Sequence, residues 1–161
     1  VNKEITQAYI KTLFDYKGGN LYWKVKRKTV NPGSLAGRLS QKGYIQIGVD
    51  GKMYSAHRLI FLLQHGYLPK VIDHINGNKA DNRIENLREA SLSENQMNRK
   101  FGKNSSGVKG VVWHKSNKKW MAQLAIDGVN KYFGSFDDLE LAELVVIEAR
   151  NKYHGAYARN I

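Results

Sequence analysis

Apolar and polar positions along the chain divide it into short elements of changing period. Ile5, Tyr9 and Leu13 recur every four residues with Phe14 beside them, which predicts an amphipathic helix over 3–14, ended by Gly18-Gly19. Leu21 to Val25 is strand-like, and Asn31-Pro32-Gly33-Ser34 is a turn leading to a strand over 43–49. Asp50-Gly51 predicts a tight hairpin that returns through Met53 to His57, so the first seventy residues read as mostly β, with His57 ending a strand. Arg58 to His65 is apolar nearly all round and stops at Gly66, the pattern of a buried helix with a glycine just past its end.

Pro69 then opens a strand, Lys70-Val71-Ile72, that delivers Asp73 and His74 to the turn dipeptide Asn76-Gly77. Further on, Ser91-x-x-Glu94 has the form of a capping box and predicts a helix from Leu92, with Asn95 in its first turn. Residues 99–107 are basic and rich in Gly and Ser, as in a linker. Beyond them, strands are predicted over 109–115, 119–126 and 131–136, with Asp127-Gly128 as a turn. In the middle strand Trp120, Ala122, Leu124 and Ile126 alternate with Met121, Gln123 and Ala125, which places Trp120 with the core. Asp137-x-x-Glu140 is expected to cap a final helix to about Asn151 with Leu141, Ala142, Val145 and Ala149 inward. The organisation expected is 1–98, a β-rich region plus a catalytic unit; 99–107, a basic linker; and 108–161, a second small domain.

Composition narrows the function. With 161 residues and 42% apolar content the chain can bury real cores, and it has no apolar run long enough to span a membrane and no basic-apolar leader, so a soluble protein without a secretory signal is expected. Zero cysteines exclude disulfides and a zinc-thiolate site. The net charge of +12 points to a polyanionic partner. Its distribution says more: Lys and Arg outnumber acids 12 to 3 in residues 1–70 and 9 to 6 in residues 101–161, but balance them 5 to 5 in residues 71–100. Basic flanks around a neutral centre suit a nucleic acid held on either side of a reaction site.

That centre carries the chemistry. Cutting a phosphodiester requires an activated water, charge stabilisation and help for the departing oxygen. Asp73 offers a carboxylate and Asn95 an amide oxygen, hard ligands suited to Mg²⁺ or Mn²⁺, with substrate and water completing the shell. His74 is the candidate base, and Asn86 would hold the loop or the ring in position.

Through Asp73-His74-Ile75-Asn76-Gly77-Asn78, Asn82, Asn86-Leu87-Arg88 and Glu94-Asn95, the stretch resembles the HNH endonucleases of the phage and intron-encoded homing type. The three letters fall on His74, Asn86 and Asn95. The resemblance implies a ββα-metal fold and one-metal nicking of double-stranded DNA to 5′-phosphate and 3′-hydroxyl ends, in a phage-encoded monomer acting in a bacterial cytoplasm, with no obligate protein partner and no membrane. It implies Asp73 and Asn95 as metal ligands, His74 as base and Asn86 as its positioning residue. The C-terminal segment, through Gly107 to Val111, Lys119 to Ala122 and Gly134-Ser135-Phe136, resembles an AP2 DNA-binding domain, a three-stranded antiparallel sheet packed on one helix. Lys109, His114, Lys115, Lys118, Lys119, Gln123 and Lys131 are the contacts expected from it, mostly to phosphates. The fold class expected is therefore α+β. A non-cutting DNA-binding regulator is the alternative, and an RNA-directed protein is a more distant third.

Overall fold

The computed structural model describes residues 5–98 and 104–159. The chain folds into two compact units, Val1–Ala90 and Ser91–Ile161. Both mix short helices with small antiparallel sheets.

In the first unit, helix α1 (Gln7–Leu13) starts where Thr6 Oγ1 accepts the Tyr9 amide, 3.2 Å away. Residues 3 and 4 of the expected helix lie outside the described residues. The helix ends one residue earlier than its apolar period predicts, because Phe14 turns extended and opens strand β1 (Phe14–Lys17). Gly18-Gly19 is not a helix stop but the turn joining β1 to β2 (Asn20–Trp23), with φ of 55° and 85°, values that favour glycine. Strands β3 (Arg38–Leu39), β4 (Ile45–Val49) and β5 (Lys52–Ser55) form a second sheet, with the predicted Asp50-Gly51 turn between the last two.

Helix α2 (Ala56–His65) follows without a break and ends at left-handed Gly66, whose amide bonds the Leu62 carbonyl. It takes in Ala56 and His57, expected in the preceding strand. Ala56, Leu59, Ile60 and Leu63 recur at helical spacing, and burying that stripe outweighs two more strand residues. These side chains pack with Ile10, Phe14, Leu21, Trp23, Ile47 and Val49 into one core. Each large member contributes roughly 1.5–3 kcal/mol. The core also takes in Ile72 and Leu87, from strands β6 (Ile72–His74) and β7 (Leu87–Glu89), which pair antiparallel with Asp73 opposite Arg88 and His74 opposite Leu87.

In the second unit, helix α3 (Leu92–Met97) has the predicted capping box, with Ser91 and Glu94 each accepting the other's amide. Residues 99–103 of the expected linker lie outside the described residues. Strands β8 (Val111–His114), β9 (Lys119–Ile126) and β10 (Val129–Phe136) form an antiparallel sheet in the order β10-β9-β8, with a bulge near Phe133. Helix α4 (Leu139–His154) covers one face through Ala142, Val146 and Ala149. Its N-cap is Asp138 rather than Asp137, whose carboxylate is drawn to Lys119 Nζ at 3.0 Å. The helix phase follows that cap. Leu141, expected inward, is 49% exposed, and Val146 is fully buried instead.

Gly110 joins the sheet to α4. A methyl group there would meet the Gln123 carbonyl oxygen and the Val146 side chain, each at 2.7 Å, on a backbone with φ of 86°. Gly128, with φ of 79°, has open space. Gly110→Ala is therefore expected to cost about 2 kcal/mol or more, and Gly128→Ala only the left-handed backbone term of roughly 1 kcal/mol. Urea titration of the two variants against the parent checks the order.

Candidate active site

The loop joining β6 to β7 is held by its own amides. Asn76 and Asn78 accept amides two residues ahead, from Asn78 and Ala80, the hydrogen bonds of Asx turns. Asp81 accepts from Asn76 Nδ2 at 2.8 Å and from Arg83 Nε at 2.9 Å. The Arg83 guanidinium keeps the Asp81 carboxyl well below the usual carboxylate range, so it remains an acceptor. Asn86 closes the loop. Its Oδ1 accepts the Asn76 amide at 3.0 Å, and its Nδ2 donates to the Asp81 carbonyl at 2.7 Å and to Asn76 Oδ1 at 3.1 Å.

All these Asn86 bonds go to the loop, and the His74 ring is held elsewhere. His74 Nε2 lies 3.0 Å from Oδ1 of Asn82, a residue only 2% exposed. An amide oxygen can only accept, so Nε2 carries the hydrogen and Nδ1 the lone pair. Asn82 had a place in the sequence motif but no assigned role. Its signal was its position eight residues after the histidine, which acquires meaning only when the loop folds back.

Two rings pack near His74. His57, from α2, meets it edge to face with centroids 5.0 Å apart, and Tyr44 lies 6.2 Å away. Lys79 Nζ stands 4.9 Å over the Tyr44 ring. Burial lowers the His74 pKa, opposed by the Asn82 bond and the charges of Asp73 and Asp81. Burial, with the neighbouring His74 and Arg58, pushes His57 down to about 3. His57 is thus a neutral ring at ordinary pH, and its buried Nδ1 has no hydrogen-bond partner among the described residues.

Asp73 precedes His74 on β6, so the pleat turns their side chains to opposite faces. Asp73 is 4% exposed, with Arg88 Nε and a terminal Arg88 nitrogen each 2.8 Å from Oδ2. Arg88 is its direct cross-strand partner, which explains the pair and gives the buried carboxylate an opposite charge. Asn95 is exposed in the first turn of α3, in the other unit. Among the described residues no three His, Asp or Glu side chains converge on a point that could hold a metal.

The residues expected to contact DNA are spread over the second unit. His114, Lys119 and Gln123 share the face of the sheet away from α4, although Lys119 is paired with Asp137. Lys115 and Lys118 are exposed in the turn between β8 and β9. Lys131 is in register with buried Leu124, hence on the α4 side, with Nζ 5.4 Å from the Tyr153 ring. Lys109 Nζ donates to the Met97 carbonyl at 2.8 Å, and burial, with Arg150 and Arg159 nearby, pushes its pKa down to about 8.

Residues 54–97, which span α2, the β6–β7 hairpin and α3, match the HNH endonuclease family. Protein 3.8 of Escherichia phage T7 is 36% identical over 106 residues, covering 64% of this chain and 87% of the phage protein. The chain belongs to the family of that phage protein and carries an HNH endonuclease domain. A solved structure titled as DNA binding and cleavage by the HNH homing endonuclease I-HmuI is 26% identical, covers 75% of this chain and 71% of that one, and superposes with a TM-score of 0.43, too loose a likeness to bear on the fold. Among the described residues no helix is long and apolar enough to cross a membrane.

In the HNH domain, His57 makes stability depend on pH. The unfolded chain protonates it near 6.5 and the folded chain only near 3, so between those values the unfolded state binds more protons. Stability is full above pH 6.5 and falls as pH drops toward 3. The slope is on the order of 1 kcal/mol per pH unit. Urea midpoints measured from neutral to acid pH should show this decline, and His57→Leu should flatten it.

Proposed function

We propose that the protein is a divalent-metal-dependent DNA endonuclease of the HNH class that nicks duplex DNA as a monomer, leaving 5′-phosphate and 3′-hydroxyl ends inside a phage-infected bacterium. The observation that carries this reading is the Asn82–His74 bond, within a stretch that matches HNH endonucleases. It presents His74 Nδ1 as a base of fixed tautomer. That nitrogen takes a proton from the attacking water as the water oxygen bonds to phosphorus and the bond from phosphorus to the 3′ oxygen breaks. Burial keeps His74 neutral, and so able to accept the proton, at ordinary pH. Asn86 keeps the loop, and through it Asn82, in place.

Asp73 and Asn95 would hold the metal, which supplies charge stabilisation to the phosphoryl group and the leaving oxygen. Arg88 holds Asp73 in one orientation. The C-terminal sheet, in an AP2-like role, adds affinity through Lys115, Lys118, His114 and Gln123, with Lys109, Lys119 and Lys131 contributing charge. This role is supported by the antiparallel sheet backed by one helix and by the excess of basic residues.

One observation favours a second reading. The Arg88 guanidinium already neutralises Asp73, as would suit a DNA-binding regulator that does not cut. Relaxation of supercoiled plasmid separates the two. With Mg²⁺ the parent should convert it to open circles, and EDTA should stop the conversion. His74→Ala and Asp73→Ala should each lose about 10²-fold or more in rate, and Asn82→Ala a comparable factor through misorientation of His74. Equal rates in the parent and all three variants, with or without metal, would leave the regulator.

A further inference from the structure

Trp113 and Trp120 are direct partners across β8 and β9, on the sheet face that α4 covers at the level of Val111 and Ala122. Those two residues are fully buried, but two positions along the strands the cover ends and Trp113 is 39% exposed. The indoles stand 4.8 Å apart and nearly edge to face. With Ser105 and Lys115 they line an open, mostly apolar slot of about 370 Å³. Trp120 is anchored in the core behind it, so one wall is rigid and the other, Trp113, faces solvent.

Such a slot is costly to leave wet. It presents indole surface to solvent, and Lys115 stands at its rim. Among the described residues neither Lys115 nor Lys118, in the same turn, pairs with an acid, whereas Lys119 does. Indole surface bordered by the Lys115 ammonium group, with Lys118 in the same turn, matches a nucleobase and the phosphate beside it. A carbohydrate would meet few hydrogen-bonding groups here, and an apolar peptide would have no use for the lysines. Bases stacked inside a duplex cannot enter.

We infer that the Trp113–Trp120 slot binds a single unpaired nucleobase, so that the C-terminal unit prefers DNA with a base out of the stack over fully paired duplex. This rests on the DNA-directed reading above and adds to it a preference for locally opened DNA. The stacked ring lies against Trp113, and Lys115 meets the adjoining phosphate.

The test uses the full chain in EDTA at fixed salt, with fluorescence anisotropy on a labelled duplex and on the same duplex carrying one extra unpaired adenine. The parent should bind the second about tenfold more tightly, the scale of one base–aromatic stack. Trp113→Ala should abolish that preference while leaving affinity for paired duplex unchanged, and Trp113→Phe should keep most of it. Unchanged circular dichroism shows that a variant is folded. Equal binding of the two DNAs by the parent, or a preference that survives Trp113→Ala, overturns the slot but leaves the nuclease reading standing. Binding of neither DNA overturns the DNA-directed reading and the slot with it.

Discussion

The geometry of the HNH domain depends on one buried amide. Asn86 bonds the backbone at both Asn76 and Asp81, and thereby closes a loop whose own backbone groups have few partners in the sheet. A loop of this length would otherwise sample many conformations at a cost of roughly 1 kcal/mol or more per residue fixed. With Asn86 in place, Asn76, Asn78 and Asp81 complete short-range turns, and Asn82 is carried to the His74 ring. Each bond alone is worth about 1 kcal/mol, but an orphaned Asn86 amide in a buried setting would cost more than the bond it replaced.

Around that loop the electrostatics are local and paired. Arg88 pairs with Asp73, Arg83 keeps Asp81 charged, and two buried histidines stay neutral side by side because desolvation penalises either cation. His57 is the more deeply shifted and has an unmet nitrogen. Its ring packs edge to face against His74, at some expense in stability.

The second unit is built on different terms. Its sheet is backed by α4 over only part of its length, and Arg150, fully buried on that helix, bonds the Lys109 carbonyl at the turn where Gly110 admits no side chain. The core there is small, and the aromatic residues beyond it remain partly in solvent. Its lysines differ in use accordingly: Lys109 holds a carbonyl, Lys119 an acid, and Lys115 and Lys118 stand in solvent.

The chain alone determined what depends on neighbours in sequence. The hairpin turns at Asp50-Gly51 and Asp127-Gly128, the Ser91–Glu94 capping box, the glycine end of α2 and the Asp73-His74-Asn-Gly motif follow from backbone preferences and short-range bonds. Tertiary structure decided whatever depends on competition between partners. Phe14 left its helix for a strand, and His57 left its strand for a helix, because core burial outweighed local period. Asp137 yielded the α4 cap to Asp138 because Lys119 from another strand claimed its charge. In the candidate site the carboxylate at Asp73 and the imidazole at His74 were legible as residue types in the sequence. For Asn86 the sequence offered the loop or the ring and the structure chose the loop, while Asn82 on the ring and Arg88 on the acid were not foreseen, since each role is a distance between atoms far apart in the chain.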